Sequence, residues 1–484
     1  MVRPTHAAVL GAGMAGMLAS ATLARHFDAV TVVDRDPLPP EPAPRKGLPQ
    51  ARHAHLLWSG GARVMESLLP GLLGRLLNAG ARRAGVETDI VSLSSFGWQY
   101  RFPSAEFMIT CSRELLDYAV RSAVIDRGNV AVLERTEPVD LCGDVTRVTG
   151  LTIRDANSGA VTALEADLVV DATGRGSPLK RMLAALGLPP VTVDTVDPGL
   201  VYATRIFRAP PGATQGFPVV SLHADHRQPR PGRNGVVLPI EDDRWIITLS
   251  GTRGAEPPGD DAGFAKFAAD LRHPLVAELI AAAEPLTEVR VSRSTANRRN
   301  YYERTDRWPD GLIAIGDSLA ALNPLYGHGM STAALGCGAL GRELDRELGR
   351  EPGGEGPEPG FARRAQRAVA AAVEDPWFLA ISQDVWYPGC VTSLTDPLPA
   401  EVTAMQRDLA EIVGTAALRD PAVSAAYAAV VALAAPVAAL AGEVVADAIR
   451  RCTLQPGLAH PPVTAGERAL LSADTPQLTA HTRG

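Results

Sequence analysis

The chain has 484 residues, too many for one simple core, so two or three structural units are expected. Its 46% hydrophobic and 21% charged residues suit an ordinary globular protein, and a net charge of -7 gives no sign of the basic face that a nucleic-acid partner needs. Five cysteines (Cys111, Cys142, Cys337, Cys390 and Cys452) form no Cys-x-x-Cys pair and are odd in number, which reads as reduced thiols in a cytoplasmic protein and excludes a disulfide framework or zinc site.

Residues 7–35 read strand, tight turn, helix, strand, which is a βαβ unit. No signal peptide is expected ahead of it, because the apolar run from Ala7 to Leu10 is only a strand's length and leads into glycines. A Pro-rich loop over 37–49 follows, then a mostly helical pattern over 50–77. In residues 91–108 the aromatics Phe96, Trp98, Tyr100 and Phe102 alternate, so one strand face is expected to carry all four. Residues 112–127 predict a helix with Ser112 as its cap. Over 190–295, short β-type runs between Gly/Pro clusters predict a mainly antiparallel sheet. A Gly/Pro-rich linker over 351–360 precedes an Ala-rich helical region to about Cys452 and a loosely ordered tail. The uncharged segment 421–442 is mostly alanine and is broken by Pro436. It reads as a buried helical hairpin, and no membrane partner is expected.

Three motifs carry chemistry. The first is Gly11-x-Gly13-x-x-Gly16, with Met14 and Ala15 inside it. Gly11 allows the turn, Gly13 lets the backbone approach a pyrophosphate, and Gly16 lets helix and strand pack closely. The helix start presents free N–H groups to phosphates, and Asp34, followed by Arg35, ends the second strand where ribose hydroxyls would lie. Alone, this motif fits NAD as well as FAD. The second is the strand-to-turn segment Leu168 to Gly176, holding Asp171 and Gly174, and by itself it is equally an ordinary turn. The third, Gly311 to Asp317 followed by Pro324-Leu325-Tyr326-Gly327-His328-Gly329-Met330, is the most specific. Gly316 and Asp317 end a strand where sugar-like hydroxyls can be bound, and a long helix from Met330 points its positive end at a flavin's pyrimidine edge.

In this order the motifs resemble the aromatic-hydroxylase-like FAD monooxygenases over roughly residues 5–350. The resemblance implies an α/β fold. A Rossmann-like FAD-binding domain of glutathione-reductase type would span 1–85, 109–185 and 295–350, with an inserted, mainly antiparallel substrate domain over 86–108 and 186–294. A C-terminal helical region over 361–460 and a flexible tail over 461–484 complete it. It also places Arg113, Arg52 and His53 near the cofactor, while His328, inside the third motif, is positioned to approach the isoalloxazine. Both histidines are equally readable as partners of loop carbonyls, and His53 and His55 lack a third ligand for a metal.

Longer stretches, Arg45 to Gly61, Phe96 to Pro103 and Asn323 to Ser331, resemble more closely the flavin-dependent epoxidases of monensin- and lasalocid-type polyether pathways. That resemblance implies epoxidation of alkenes in a linear polyene polyketide by a flavin C4a-hydroperoxide. No catalytic side chain is then required, dioxygen is co-substrate, and electrons come from NAD(P)H or a separate flavin reductase. Phe96, Trp98, Tyr100 and Phe102, with Val237, Pro239 and Ile247 of the later sheet, are candidates for an apolar pocket, each equally readable as sheet core. An aromatic hydroxylase, a flavin halogenase and a non-enzymatic carrier on the same fold are the rival readings. The nearest segment to a halogenase Trp-x-Trp-x-Ile-Pro pattern, Arg244 to Ile247, lacks it.

Overall fold

The computed structural model describes residues 5–293, 295–348, 357–451 and 455–472. The uninterrupted apolar runs near the amino terminus become strands covered on both faces, as parallel strands must be. Leu312–Ala314, Leu168–Asp171, His6–Leu10, Ala29–Val33 and Val130–Leu133 pair in that order, all parallel. The helix Met14–Leu23 and the twenty-residue helix Gly329–Leu348 pack together beside this sheet. Each of the three motifs therefore lies at the carboxyl end of one of its strands, where open α/β sheets bind ligands.

The predicted antiparallel sheet is present. Its central strands are Val201–Arg208, Arg244–Gly251, Arg233–Ile240 and Val219–Leu222. Ile90–Ser94 joins Val219–Leu222 in parallel, the one departure from antiparallel pairing among these strands. Helices Asp261–Ala269 and Leu275–Ala281 cover one face of the sheet. The other face looks into a cleft shared with the parallel sheet.

The expected four-aromatic strand does not form. Residues 91–108 break into Ile90–Ser94, the two-residue strand Gly97–Trp98, and Phe107–Thr110 after a loop. Likewise 50–77 is less helical than its pattern: a 3-10 turn Pro49–Arg52 and a strand Leu56–Trp58 come before the helices Ser59–Leu68 and Leu72–Asn78. The helix Arg113–Ile125 starts where predicted, with Ser112 Oγ accepting from Leu115 N.

The Ala-rich region is helical: Phe361–Ala371, Glu374–Asp384, Ala400–Ala417, Pro421–Val431 and Glu443–Arg451. Of the expected linker over 351–360, residues 351–356 lie outside the described residues. The described part of the expected tail holds a helix, Ala465–Ser472. Leu470 and Leu471 pack on the substrate-side core and Glu467 pairs with Arg101 at 2.6 Å. Among the described residues no helix is long and apolar enough to cross a membrane.

Candidate active site

A cleft of about 870 Å³ runs from the first glycine turn, past the third motif, to the antiparallel sheet, and the C-terminal helices roof it. Its dinucleotide end is built by the motifs. Gly11, Gly13, Met14, Ala15, Asp34, Arg35, Gly174 and Asp317 line it, and Arg113 and His53 join them. A Cβ added to Gly13 would meet nothing within 4 Å and would project into this space, as would one on Gly329. Gly16 acts differently: its Cβ would fall 1.8 Å from Gly11 O, so its role is helix–strand contact behind the cleft wall. Gly316 is also behind the wall, where a Cβ would stand 2.6 Å from that of Ala15.

Asp171, expected at the cofactor, is fully buried and turned inward. It accepts from Thr173 N at 3.0 Å, Thr173 Oγ1 at 2.5 Å and Ser177 Oγ at 2.5 Å, so it folds the Gly174 turn and does not line the cleft. Burial pushes its carboxyl above the usual carboxylate range against these hydrogen bonds. Arg52 is exposed on a small side opening that shares Pro49 and His53 with the main cleft. Sequence reasoning missed Arg45, whose buried guanidinium donates to Ala12 O at 2.8 Å and pairs with Asp34 at 3.2 Å. Nothing in local sequence periodicity marks an arginine that reaches back from a loop eleven residues on.

The third motif is held from three sides. Pro324, Gly327, His328, Gly329 and Met330 all line the cleft. Trp58 Nε1 donates to Tyr326 O at 3.0 Å. Asp384, at the end of a C-terminal helix, accepts from Asn323 Nδ2 at 2.7 Å, Asn297 Nδ2 at 2.7 Å and Tyr326 Oη at 2.8 Å. Burial raises the Asp384 carboxyl to about 6, opposed by those three donors. His328 Nε2 lies 2.9 Å from Val431 O. A carbonyl only accepts, so Nε2 carries the proton and the buried Nδ1, which has no partner among the described residues, is a bare acceptor. Burial lowers the His328 pKa to about 4, and lowers that of His55 to about 3 with help from Arg113.

The substrate end corrects the expected pocket by strand parity. Side chains at Ile90, Ser92, Val219, Ser221, Asn234, Val236, Leu238, Thr248 and Ser250 face the cleft. Val237 and Ile247 lie between those positions and point into the opposite core under the helices. Pro239 shares their parity and does not line the cleft. Of the four aromatics only Phe96 lines it. Trp98 is buried in the same opposite core, edge-on to His273, and Tyr100 and Phe102 stack on each other away from it. The alternation failed because two residues of pleat do not make a strand long enough to hold four side chains on one face.

The residues present fit a flavin dinucleotide: open glycines at the turns, a carboxylate at each of two strand ends, and a bare imidazole acceptor beside the third motif. The FAD binding domain family model matches residues 4–356. The chain belongs to that family, the FAD monooxygenases of aromatic-hydroxylase type, and is an FAD-dependent oxidoreductase. It is 31% identical over 404 residues to Protein Rv3254 of Mycobacterium tuberculosis (strain ATCC 25618 / H37Rv), covering 81% of this chain and 82% of that one. It is 29% identical to a kynurenine 3-monooxygenase of Salinispora arenicola (strain CNS-205), with 69% and 70% covered. A flavoprotein/dehydrogenase structure from Cytophaga hutchinsonii superposes with a TM-score of 0.62 at 16% identity, covering 93% of this chain and 98% of that one. This last likeness extends the shared fold well into the C-terminal helices.

Proposed function

We propose that this FAD-dependent enzyme epoxidises alkenes of a linear polyene polyketide, in the manner of the polyether epoxidases its longer motifs resemble. The observation that carries the reading is the charge distribution of the cleft. Asp34, Arg35, Asp36, Arg45, Arg113, Glu137, Arg175 and Asp317 all lie on the dinucleotide side. What the antiparallel sheet and the C-terminal helices contribute is uncharged, including His223 and His226, whose pKa values burial lowers to about 4.

An alkene is itself a nucleophile and needs no protein base to react with an electrophilic oxygen, whereas a phenol is activated by losing its proton. FAD bound along the motif-lined end and reduced there would supply the activation of dioxygen, with one oxygen atom for the alkene and the other released as water. The chain's own work is to hold the alkene over Val236 and Leu238, beside the turn carrying His328, and to keep water out under Tyr427, Ala428 and Val431. Electrons would come from NAD(P)H or from a separate flavin reductase.

Mass spectrometry of products formed from a linear polyene polyketide, FAD, a reductase system and isotopically heavy dioxygen tests the reading. Gain of one heavy oxygen per alkene supports it. Flavin turnover with peroxide release and no labelled product overturns it for that substrate class. The similarity to a kynurenine 3-monooxygenase favours a second reading, hydroxylation of an aromatic ring. The same assay with aromatic substrates separates the two.

A further inference from the structure

The cleft face of the antiparallel sheet is graded. One cross-strand row is apolar: Ile90, Val219, Leu238 and Ile246. This row packs with Trp58, which is tied to Tyr326 and so to the third motif. Further across the same face the lining changes to Ser92, Ser221, Asn234, Ser250, His223 and His226. An apolar pocket would not place these groups there, so their hydrogen-bonding state decides what they recognise.

Most of the polar atoms are already committed. Asn234 Oδ1 accepts from Ala224 N at 2.8 Å and its Nδ2 donates to Ser250 Oγ at 3.4 Å; Ser221 Oγ pairs with His223 Nε2 at 2.8 Å. His226 is different. The buried Ser95 hydroxyl lies 3.1 Å from Ala224 O and 2.7 Å from His226 Nδ1. Both contacts are hydrogen bonds only when the hydroxyl's single proton goes to the carbonyl, which can only accept, and Nδ1 carries the imidazole's proton and donates to Ser95 Oγ. The ring is neutral, because burial lowers its pKa to about 4. Nε2 is thereby left as a lone-pair acceptor on a residue that lines the cleft. Two cations act on it: Arg227 is bound to Asp225 at 2.8 Å, Glu411 at 3.1 Å and Ser95 O at 2.6 Å, and Arg407 lies over the Trp386 ring at 4.7 Å.

We infer that His226 Nε2 is a specificity-determining acceptor for a hydroxyl of the substrate, so that the cleft selects an uncharged, hydroxylated chain whose alkene lies on the apolar row and whose O–H reaches His226. The inference deepens the proposed function and rests on it for the alkene. A bare imidazole nitrogen accepts from an alcohol, gains nothing from an ether and repels a carboxylate.

Binding to the oxidised, FAD-loaded protein tests this without turnover, so its outcome is separate from that of the oxygenation assay. Geraniol, geranyl methyl ether and geranate are titrated against the flavin absorbance. Geraniol should bind about tenfold more tightly than either analogue, the worth of one hydrogen bond in a buried site. His226→Phe should bring alcohol and ether to near-equal affinity. Ser95→Ala, which keeps the ring but releases its tautomer, should shrink the same ratio. Equal affinity for alcohol and ether in the unaltered protein, tighter binding of geranate, binding of none of the three, or a ratio that survives both substitutions would overturn the assignment.

Discussion

The Tyr326 hydroxyl donates to Asp384 Oδ1 at 2.8 Å, joining the flavin-side turn to a helix beyond the 4–356 span of the family match. Asn323 and Asn297 donate to the same carboxylate at 2.7 Å each, so one acidic side chain collects three donors. Asp384→Ala strands the Asn323 amide and the Tyr326 hydroxyl, while Asn297 Nδ2 keeps Val196 O at 3.3 Å, at a cost on the order of 2–3 kcal/mol in stability. Because Asn323 and Tyr326 flank Pro324, the turn itself should loosen. Equilibrium dialysis should show FAD held at least about tenfold more weakly, and the flavin reduction potential should move. A variant with lowered melting temperature but unchanged flavin affinity and potential would reduce Asp384 to a structural role.

The same carboxyl gives a pH signature. Its folded pKa of about 6 lies above the value near 4 of an unfolded aspartate, so between these pH values the native state binds more protons. The stability it contributes is present below about pH 4 and is lost as pH rises through about 6, on the order of 3 kcal/mol in all. Asp384→Asn removes that titration. Chemical denaturation at pH 5 and pH 7 should show the difference between the two proteins changing in that direction, and parallel pH profiles would contradict it.

Gly13 and Gly16 should separate binding from folding. A side chain at Gly13 meets no protein atom within 4 Å, so Gly13→Val should purify folded but without flavin. One at Gly16 would sit 1.8 Å from Gly11 O, so even Gly16→Ala should lower the melting temperature sharply. Flavin content from the absorbance ratio, with circular dichroism as the check on fold, distinguishes the outcomes.

How far the sequence reached follows from the range of each interaction. The βαβ unit, the Ser112 cap and the antiparallel strands were legible because their signals are local: periodicity, a capping hydroxyl, glycines at a turn. Arg45 on Asp34 and Asp384 on Tyr326 were not, since each joins segments that no spacing rule relates. Strand parity shows the limit most plainly. Choosing Val237 and Ile247 for the pocket needed the register against Val220 and Arg205, which tertiary packing fixes. The Asp171 assignment failed for a similar reason, because a carboxylate at a strand end can serve a ligand or its own turn, and only Thr173 and Ser177 show which.

Asp317 lines the cleft with its side chain 41% exposed, and its nearest cation, Arg175, is 3.6 Å away. So open an ion pair adds little to stability, roughly 1 kcal/mol or less. Asp317→Ala should leave the melting temperature of the flavin-free protein nearly unchanged while weakening FAD retention. Unchanged flavin affinity would remove Asp317 from the site.

The two faces of the antiparallel sheet make opposite demands on neighbouring residues. Ile247 is fully buried against Val237 and the covering helices, so Ile247→Ala opens a void there. That should cost about 2–5 kcal/mol without touching the cleft. Leu238 lines the cleft beside Val236, so Leu238→Trp adds bulk where the alkene is proposed to lie. It should keep FAD bound, because no dinucleotide-side residue moves, yet weaken geraniol binding by about tenfold or more. Melting temperature, flavin content and ligand affinity measured on both variants should therefore show stability lost without affinity in one, and affinity lost without flavin in the other. Weakened geraniol binding in Ile247→Ala at intact flavin content would return that side chain to the pocket and reverse the parity assigned to the strand.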